Sequence, residues 1–385
     1  FGAPTTGVVR FLVDTREDPT RDPKVSALVN AQAQAAARFG DAQIGNVNRR
    51  LEAVRSGSAQ AVAVSLSSAR GGQTDEPFVD QSRGQMLAEL RAATAPQADP
   101  AIAQPRAQRA GDKVQVWTGG AVVLGESRQR GGNGGFDFAT AGISAGADVR
   151  LGEGLVVGAG AGYGRDRSDL GQGSKVESQA LSAFGYASYK PNAWVFVDAV
   201  AGAARLDFDT ERKTLAGSTL RGSRDGDELF GSVSVGLDLQ ADEWALSPYG
   251  RVQAVTATLG QYAETGETAT ALRFARHSVN QTTGVLGVVG HYRVELDAGV
   301  LEPTIRGEYH WSLRRSGVAS LGYATSSGEL PYQVMLSAFD DHRAFGAVGL
   351  RWITVGGWTF AVEVEGSTSD AGTTTGLRIG ANGKF

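Results

Sequence analysis

Leu301-Glu-Pro-Thr-Ile-Arg-Gly-Glu-Tyr-His-Trp311 decides the fold. Side chains alternate across a strand, so one face of this segment carries Leu301, Pro303, Ile305, Gly307, Tyr309 and Trp311, and the other carries Glu302, Thr304, Arg306, Glu308 and His310. One side suits lipid and the other suits water. Outward from this segment, the period of two holds from Lys113 to Phe385. It predicts about twelve strands near 114–124, 136–150, 154–166, 175–189, 193–206, 227–240, 244–259, 277–294, 300–313, 331–353, 358–369 and 374–385. In the fifth of these both faces are apolar, and Asp198 alone assigns the inward side.

The connections alternate in length. Leu151-Gly-Glu153, Pro191-Asn192, Ala241-Asp-Glu243, Asp297-Ala-Gly299 and Val355-Gly-Gly357 are tight, whereas Glu126–Gly135, Asp166–Ser174, Asp207–Gly226, Gln261–Arg276 and Arg314–Leu330 read as longer polar loops, and only the last connection on that side, near Asp370-Ala-Gly372, is short. A transmembrane barrel with short turns on one side and long loops on the other produces this alternation, and a soluble sandwich has no cause to. Trp194, Trp244, Trp352 and Trp358 fall at strand ends beside the short turns, the expected place for an interfacial girdle.

Composition agrees. The chain of 385 residues is rich in glycine, with 53, poor in proline, with 11, and 41% apolar, without the ~18 consecutive apolar residues that a membrane helix needs. A barrel wall hides its membrane character because alternate residues face the lumen, so the slightly negative mean hydropathy is no objection. A net charge of −4 implies no nucleic-acid partner. The absence of cysteine excludes disulfides, thiolate metal sites and a cysteine nucleophile. No metal or cofactor is expected. The alternating opening, Gly7 to Asp14, reads as the end of a preceding domain, so the chain is expected to be a C-terminal piece of a longer precursor.

Ahead of the strands the character changes. Residues 1–22 read as the end of a passenger or a linker. Residues 23–56 read as a helix, opened by Asp22-Pro23 and rich in Ala, Gln and Arg. About 30 residues at 1.5 Å each span roughly 45 Å, enough to cross a bilayer core. Ala31, Ala33, Ala35, Ala36, Ala37, Gly40, Ala42 and Gly45 keep the rod thin. A twelve-stranded barrel has room for about one such helix. Asn46, Asn48, Arg49 and Arg50 are then expected to bond lumenal wall carboxylates, with Glu302, Arg306 and Glu308 as wall candidates. A solvated helix outside the bore is the alternative. Residues 57–112 read as a largely irregular periplasmic connection with one helical candidate at 81–94, and 113–385 as the barrel.

An Ala-rich helix ending Gly45-Asn-Val-Asn-Arg-Arg-Leu51, a connection, about twelve strands and a terminal Phe385 together resemble the translocator domain of autotransporters, the type V secretion family of Gram-negative bacteria. The resemblance implies an all-β transmembrane barrel with an N-terminal helix in the lumen, and an outer-membrane translocator and anchor that exports its own passenger to the cell surface. It further implies outer-membrane lipid, the barrel assembly machinery and periplasmic chaperones as partners, and a monomer. Family members that cut themselves in the pore use paired asparagines. Here the pair is Gly45-Asn46, which implies a passenger that stays attached. The family's insertion signal would rest on Leu377, Ile379 and Phe385, with Gly383 in one of the large-residue places.

Other functions remain as alternatives. Asp340-Asp-His342 could serve a protease-like barrel, although a lumenal polar residue needs no catalytic explanation. A plain diffusion porin predicts an open bore. No hydrolase or nucleotide-binding signature appears, and Gly158-Ala-Gly-Ala-Gly162 reads as a strand allowing curvature or close helix approach. No catalytic residue is expected.

Overall fold

The computed structural model describes residues 16–55, 63–68, 114–129, 134–152, 154–214, 216–326, 330–336, 341–354 and 359–382. Helix α1 runs Pro23–Arg55, opened by the Asp22 carboxylate, which accepts the Lys24 amide at 2.9 Å. The strands are β1 Ala63–Ser68, β2 Val114–Ser127, β3 Phe136–Leu151, β4 Leu155–Asp169, β5 Lys175–Tyr189, β6 Val195–Lys213, β7 Thr219–Leu237, β8 Leu239–Ala241, β9 Trp244–Leu259, β10 Tyr262–Ala263, β11 Leu272–Phe274, β12 His277–Tyr292, β13 Val294–Leu296, β14 Gly299–Ser316, β15 Val318–Tyr323, β16 Tyr332–Met335, β17 His342–Thr354, β18 Thr359–Ser369 and β19 Thr373–Asn382. No helix among the described residues is long and apolar enough to cross a bilayer by itself.

Twelve strands, β2–β7, β9, β12, β14 and β17–β19, pair antiparallel in chain order and curl into a barrel. The short β1 sits between its ends, antiparallel to β19 and parallel to β2. The connection expected to be largely irregular thus holds one short strand. Ala-Val-Ser-Leu-Ser-Ser alternates like the wall strands, but six residues inside a polar stretch carry little weight alone. The helical candidate at 81–94 lies outside the described residues.

The wall has the two faces that the sequence implies. Along β7, Leu229, Val233 and Val235 are exposed, while Glu228, Phe230, Ser232 and Ser234 are buried inward. Along β6, Asp198 is buried with Phe196 and Val200. Inward rings lie flat over glycines on the neighbouring strand. A Cβ on Gly158 would strike Tyr186, one on Gly160 would strike Phe184, one on Gly202 would strike Phe230 and one on Gly236 would strike Phe196. Gly162 and Gly164 instead admit Gln43 and Phe39 of α1. The glycine run of β4 therefore serves packing and makes no phosphate loop.

The long-loop end is more ordered than the sequence suggests. The expected loop Asp207–Gly226 is mostly strand, because β6 and β7 run on to a tight turn between Lys213 and Thr219. Here the outward residues become charged, with Arg205 and Asp227 paired at 2.9 Å, which marks the edge of the apolar belt. Leu206, Phe208 and Leu220 stay buried inside. Polar outward positions mimic a loop once a strand leaves the membrane.

The expected loops Gln261–Arg276 and Arg314–Leu330 also contain strands. They contribute β10, β11 and β15, which join β16 in a separate four-stranded sheet in the order β10-β11-β15-β16. Its residues Leu272, Phe274, Leu321 and Val334 share one apolar cluster with Val25, Leu28 and Val29 of α1, so the sheet is a lid over the start of the helix. The single strand expected over 331–353 is accordingly two, β16 in the lid and β17 in the wall.

Candidate functional site: the helix-filled bore

Twenty-one of the 33 residues of α1 are buried, and several alanines have no exposed surface, so the barrel wall replaces solvent along the helix. The helix has a direction. Near its start, Lys24 donates to the Lys213 carbonyl and Arg212 lies 3.7 Å from Asp22, both at the long-loop end. At its finish, Arg55 pairs with Asp198 and stacks over Phe196, at the short-turn end. At ~1.5 Å per residue, 33 residues cover about 50 Å, the full depth of the wall.

Charged groups fasten the rod at each level. Arg38 reaches Asp166 at 2.7 Å and Thr140 at 3.0 Å. Asp41 accepts from Gln253 at 2.8 Å. Arg50 meets both oxygens of Asp148, at 2.8 and 3.0 Å, and donates to Gln115 at 2.9 Å. Asp148 also accepts from the Tyr186 hydroxyl at 3.0 Å, itself held by Trp117. Glu52 takes Arg306 at 2.7 Å. Out of water such pairs are stronger than surface ones, but each partner depends on the other for its desolvation.

Of the residues singled out from sequence, Arg49 lies 3.1 Å from Glu363, Arg50 pairs with Asp148, and Asn46 donates to Ser144 at 2.8 Å. Asn48 is half-buried beside an open cleft, and neither end of its carboxamide meets a protein partner. Glu302 and Glu308 do not receive the helix. Glu302 is held by Arg351, and Glu308 by Arg251, His310 and Tyr249 within the wall. The sequence reading missed Gln34, Arg38, Asp41, Glu52 and Arg55. Their successive spacings of four, three, eleven and three residues put them on one polar stripe of α1, a signal hidden beneath the alanines.

The helix is off centre. It packs mainly on β2–β7 and β9, and a cleft of about 360 Å³ remains between it and β12, β14 and β17–β19. The cleft is lined by residues from both ends of the barrel, from Gly372 at the long-loop end to Asp198 at the short-turn end. Gly45 borders it, and a Cβ there would meet nothing within 4 Å.

Trp194, Trp244 and Trp352 are exposed near the short turns, while Trp358 is outside the described residues. Leu377 and Ile379 lie on β19, but their side chains and Phe385 are likewise outside them. The Asp-His dyad is not assembled among the described residues. His342 is exposed and stacks on Tyr309, with Nδ1 3.0 Å from its hydroxyl, while Asp341 pairs with Arg315 at 2.6 Å.

With this geometry in hand, comparison with known proteins is decisive. The family model for the autotransporter beta-domain matches residues 116–365. The chain belongs to the autotransporter β-domain family. An autotransporter β-domain is an outer-membrane β-barrel, which accounts for the exposed apolar belt. The translocator domain of autotransporter NalP from Neisseria meningitidis is similar in fold, with a TM-score of 0.57 and 14% identity over 80% of this chain and 98% of that one. The beta domain of the Bordetella autotransporter BrkA gives 0.50 and 15% over 71% and 100%. Probable autotransporter YpjA of Escherichia coli strain K12 is 27% identical over 131 residues, which are 33% of this chain and 9% of that protein. The chain thus spans a small part of that relative.

Proposed function

We propose that this autotransporter β-domain is a translocator and anchor. It supports export of a passenger that precedes α1, and α1 remains in the bore as its plug. The observation that carries the reading is the direction of α1, with its start beneath the long loops and its end at the short turns. A chain so threaded leads whatever lies ahead of residue 16 to the long-loop side, which would be the cell surface. Asn46, Arg49 and Arg50 would then hold the plug, Leu377, Ile379 and Phe385 would report the finished chain to the barrel assembly machinery, and the tryptophans would seat the wall in outer-membrane lipid as a monomer. Periplasmic chaperones would guard the unfolded strands before insertion. The reading makes the domain a transport unit rather than an enzyme.

Planar-bilayer recording tests it. The chain should pass small currents through the cleft beside α1, and a version lacking residues 1–56, with its β-content verified by circular dichroism, should conduct several-fold more. Equal, large conductances for both would favour a diffusion porin.

A further inference from the structure

The first and last of the twelve wall strands, β2 and β19, form no ladder with each other among the described residues. Their flanks meet directly at the long-loop end, where the Arg128 amide donates to the Ala371 carbonyl at 3.0 Å and a Cβ on Gly372 would come within 2.5 Å of the Glu126 carbonyl. Below that point β1 lies between them. Ala63 faces Gly119 on one side and Gly380 on the other, and Leu66 faces Val122 and Leu377. Each residue gained along β2 is matched by one lost along β19. Continued six steps past Val122 and Leu377, the series arrives at Arg128 and Ala371, the pair that bonds directly. The two strands thus keep one register throughout, across β1 and beyond it.

Without β1 the two edges would close on each other with no slip. Residues 117–126 would stand opposite Thr373–Asn382 in ten facing pairs, as many as the six that β1 makes with β19 and the four that it makes with β2 together. Backbone pairing therefore favours neither arrangement. Ordering the six residues of β1 costs chain entropy and favours direct closure, whereas the rod inside resists a tighter wall and favours β1. The cleft beside α1 lies at this seam, lined by Val123, Glu126 and Ser127 of β2, Thr374 of β19, and Ser367 and Ser369 of β18. Taking one strand spacing of ~4.8 Å out of the perimeter draws the bore in by roughly 1.5 Å, and the cleft is the part with room to give. β1 is also tied to the rod. Seven residues separate Arg55 from Ala63, at most about 27 Å of chain.

We propose that β1 is a removable spacer strand that sets the width of the conduit beside α1. With β1 in the seam the cleft stays open. With β1 withdrawn, β2 and β19 pair directly in the register they already hold, and the cleft narrows. The tether couples the rod to the seam, because α1 cannot be drawn far along the bore without pulling β1 out of the wall, so the two states belong to one equilibrium. The effect on the conduit rests on the reading of α1 as the plug.

The chain has no cysteine, so introduced pairs report the seam without background. The full chain is folded in detergent and mildly oxidised. Ala63→Cys with Gly380→Cys, at directly facing positions, should crosslink readily. Gly119→Cys with Gly380→Cys stands two strand spacings apart, ~9.6 Å, while β1 is in place, and should crosslink roughly tenfold more slowly, as β1 leaves. In planar bilayers the disulfide between positions 119 and 380 should cut the current several-fold, with full recovery on reduction, whereas the one between 63 and 380 should leave it at the unlocked level. The proposal is overturned if the 119–380 pair never crosslinks, if it crosslinks as fast as the 63–380 pair, or if its disulfide leaves the current unchanged. Crosslinking is read without any current, so the exchange of β1 is decided separately from the plug, which the deletion of residues 1–56 tests.

Discussion

Arg50 of α1 and Asp148 of β3 meet through two parallel hydrogen bonds in the buried interior of the barrel, Nε to Oδ2 at 2.8 Å and Nη2 to Oδ1 at 3.0 Å. With Tyr186 and Gln115 completing the network, helix and wall share one fastening. Removing one partner strands the other charge out of water. Arg50→Met or Asp148→Asn should each cost about 3 to 5 kcal/mol, and the double change should cost less than the sum. Urea unfolding of the four proteins checks this, and additive losses would contradict it.

Gly40 and Gly45 lie on the same helix and should respond oppositely to alanine. A Cβ on Gly40 would come within 2.8 Å of Val255 and 2.9 Å of Glu228, so Gly40→Ala should destabilise by about 1 to 3 kcal/mol. Gly45 faces the cleft, so Gly45→Ala should stabilise by up to ~1 kcal/mol through helix propensity. Comparing unfolding midpoints decides between this and a common sign.

The segment before α1 is clipped to the lid. Arg16 donates to Thr325 at 2.8 Å and Ser326 at 2.7 Å and stacks on Tyr323, whose hydroxyl donates to the Glu17 carbonyl at 2.8 Å. Arg16→Ala should accelerate trypsin cleavage at Arg21 several-fold while leaving the midpoint of the barrel within about 1 kcal/mol. Unchanged cleavage would mean that the clip does not restrain the stem.

Among the described residues His342 meets no acid, so His342→Ala should alter neither peptide nor ester hydrolysis, with both proteins at the background rate. Turnover that vanishes in the variant would revive the protease-like reading.

The wall was legible because Leu301–Trp311 and its counterparts alternate between lipid and lumen, a signal carried by each strand alone. The lid was not, because Leu272–Phe274 is only three residues long and finds its partner β15 some 50 positions away. No local period announces such a pairing. In the bore, Arg49 and Arg50 stood out beside the asparagines, but which carboxylate each meets depends on the rotation of α1 inside the barrel. Glu52 meeting Arg306 fixes that rotation, and nothing within the helix sequence does.

The rings that lie flat on Gly158, Gly160, Gly202 and Gly236 have a consequence for how such a chain can change over generations. The clearance around the threaded rod is set by hydrogen atoms on the wall it packs against as much as by the alanines of the rod. A drift from glycine to alanine at those places would tip the aromatic groups inward and narrow the conduit. The helix would then have to shed volume in step, so tube and occupant are bound to vary together.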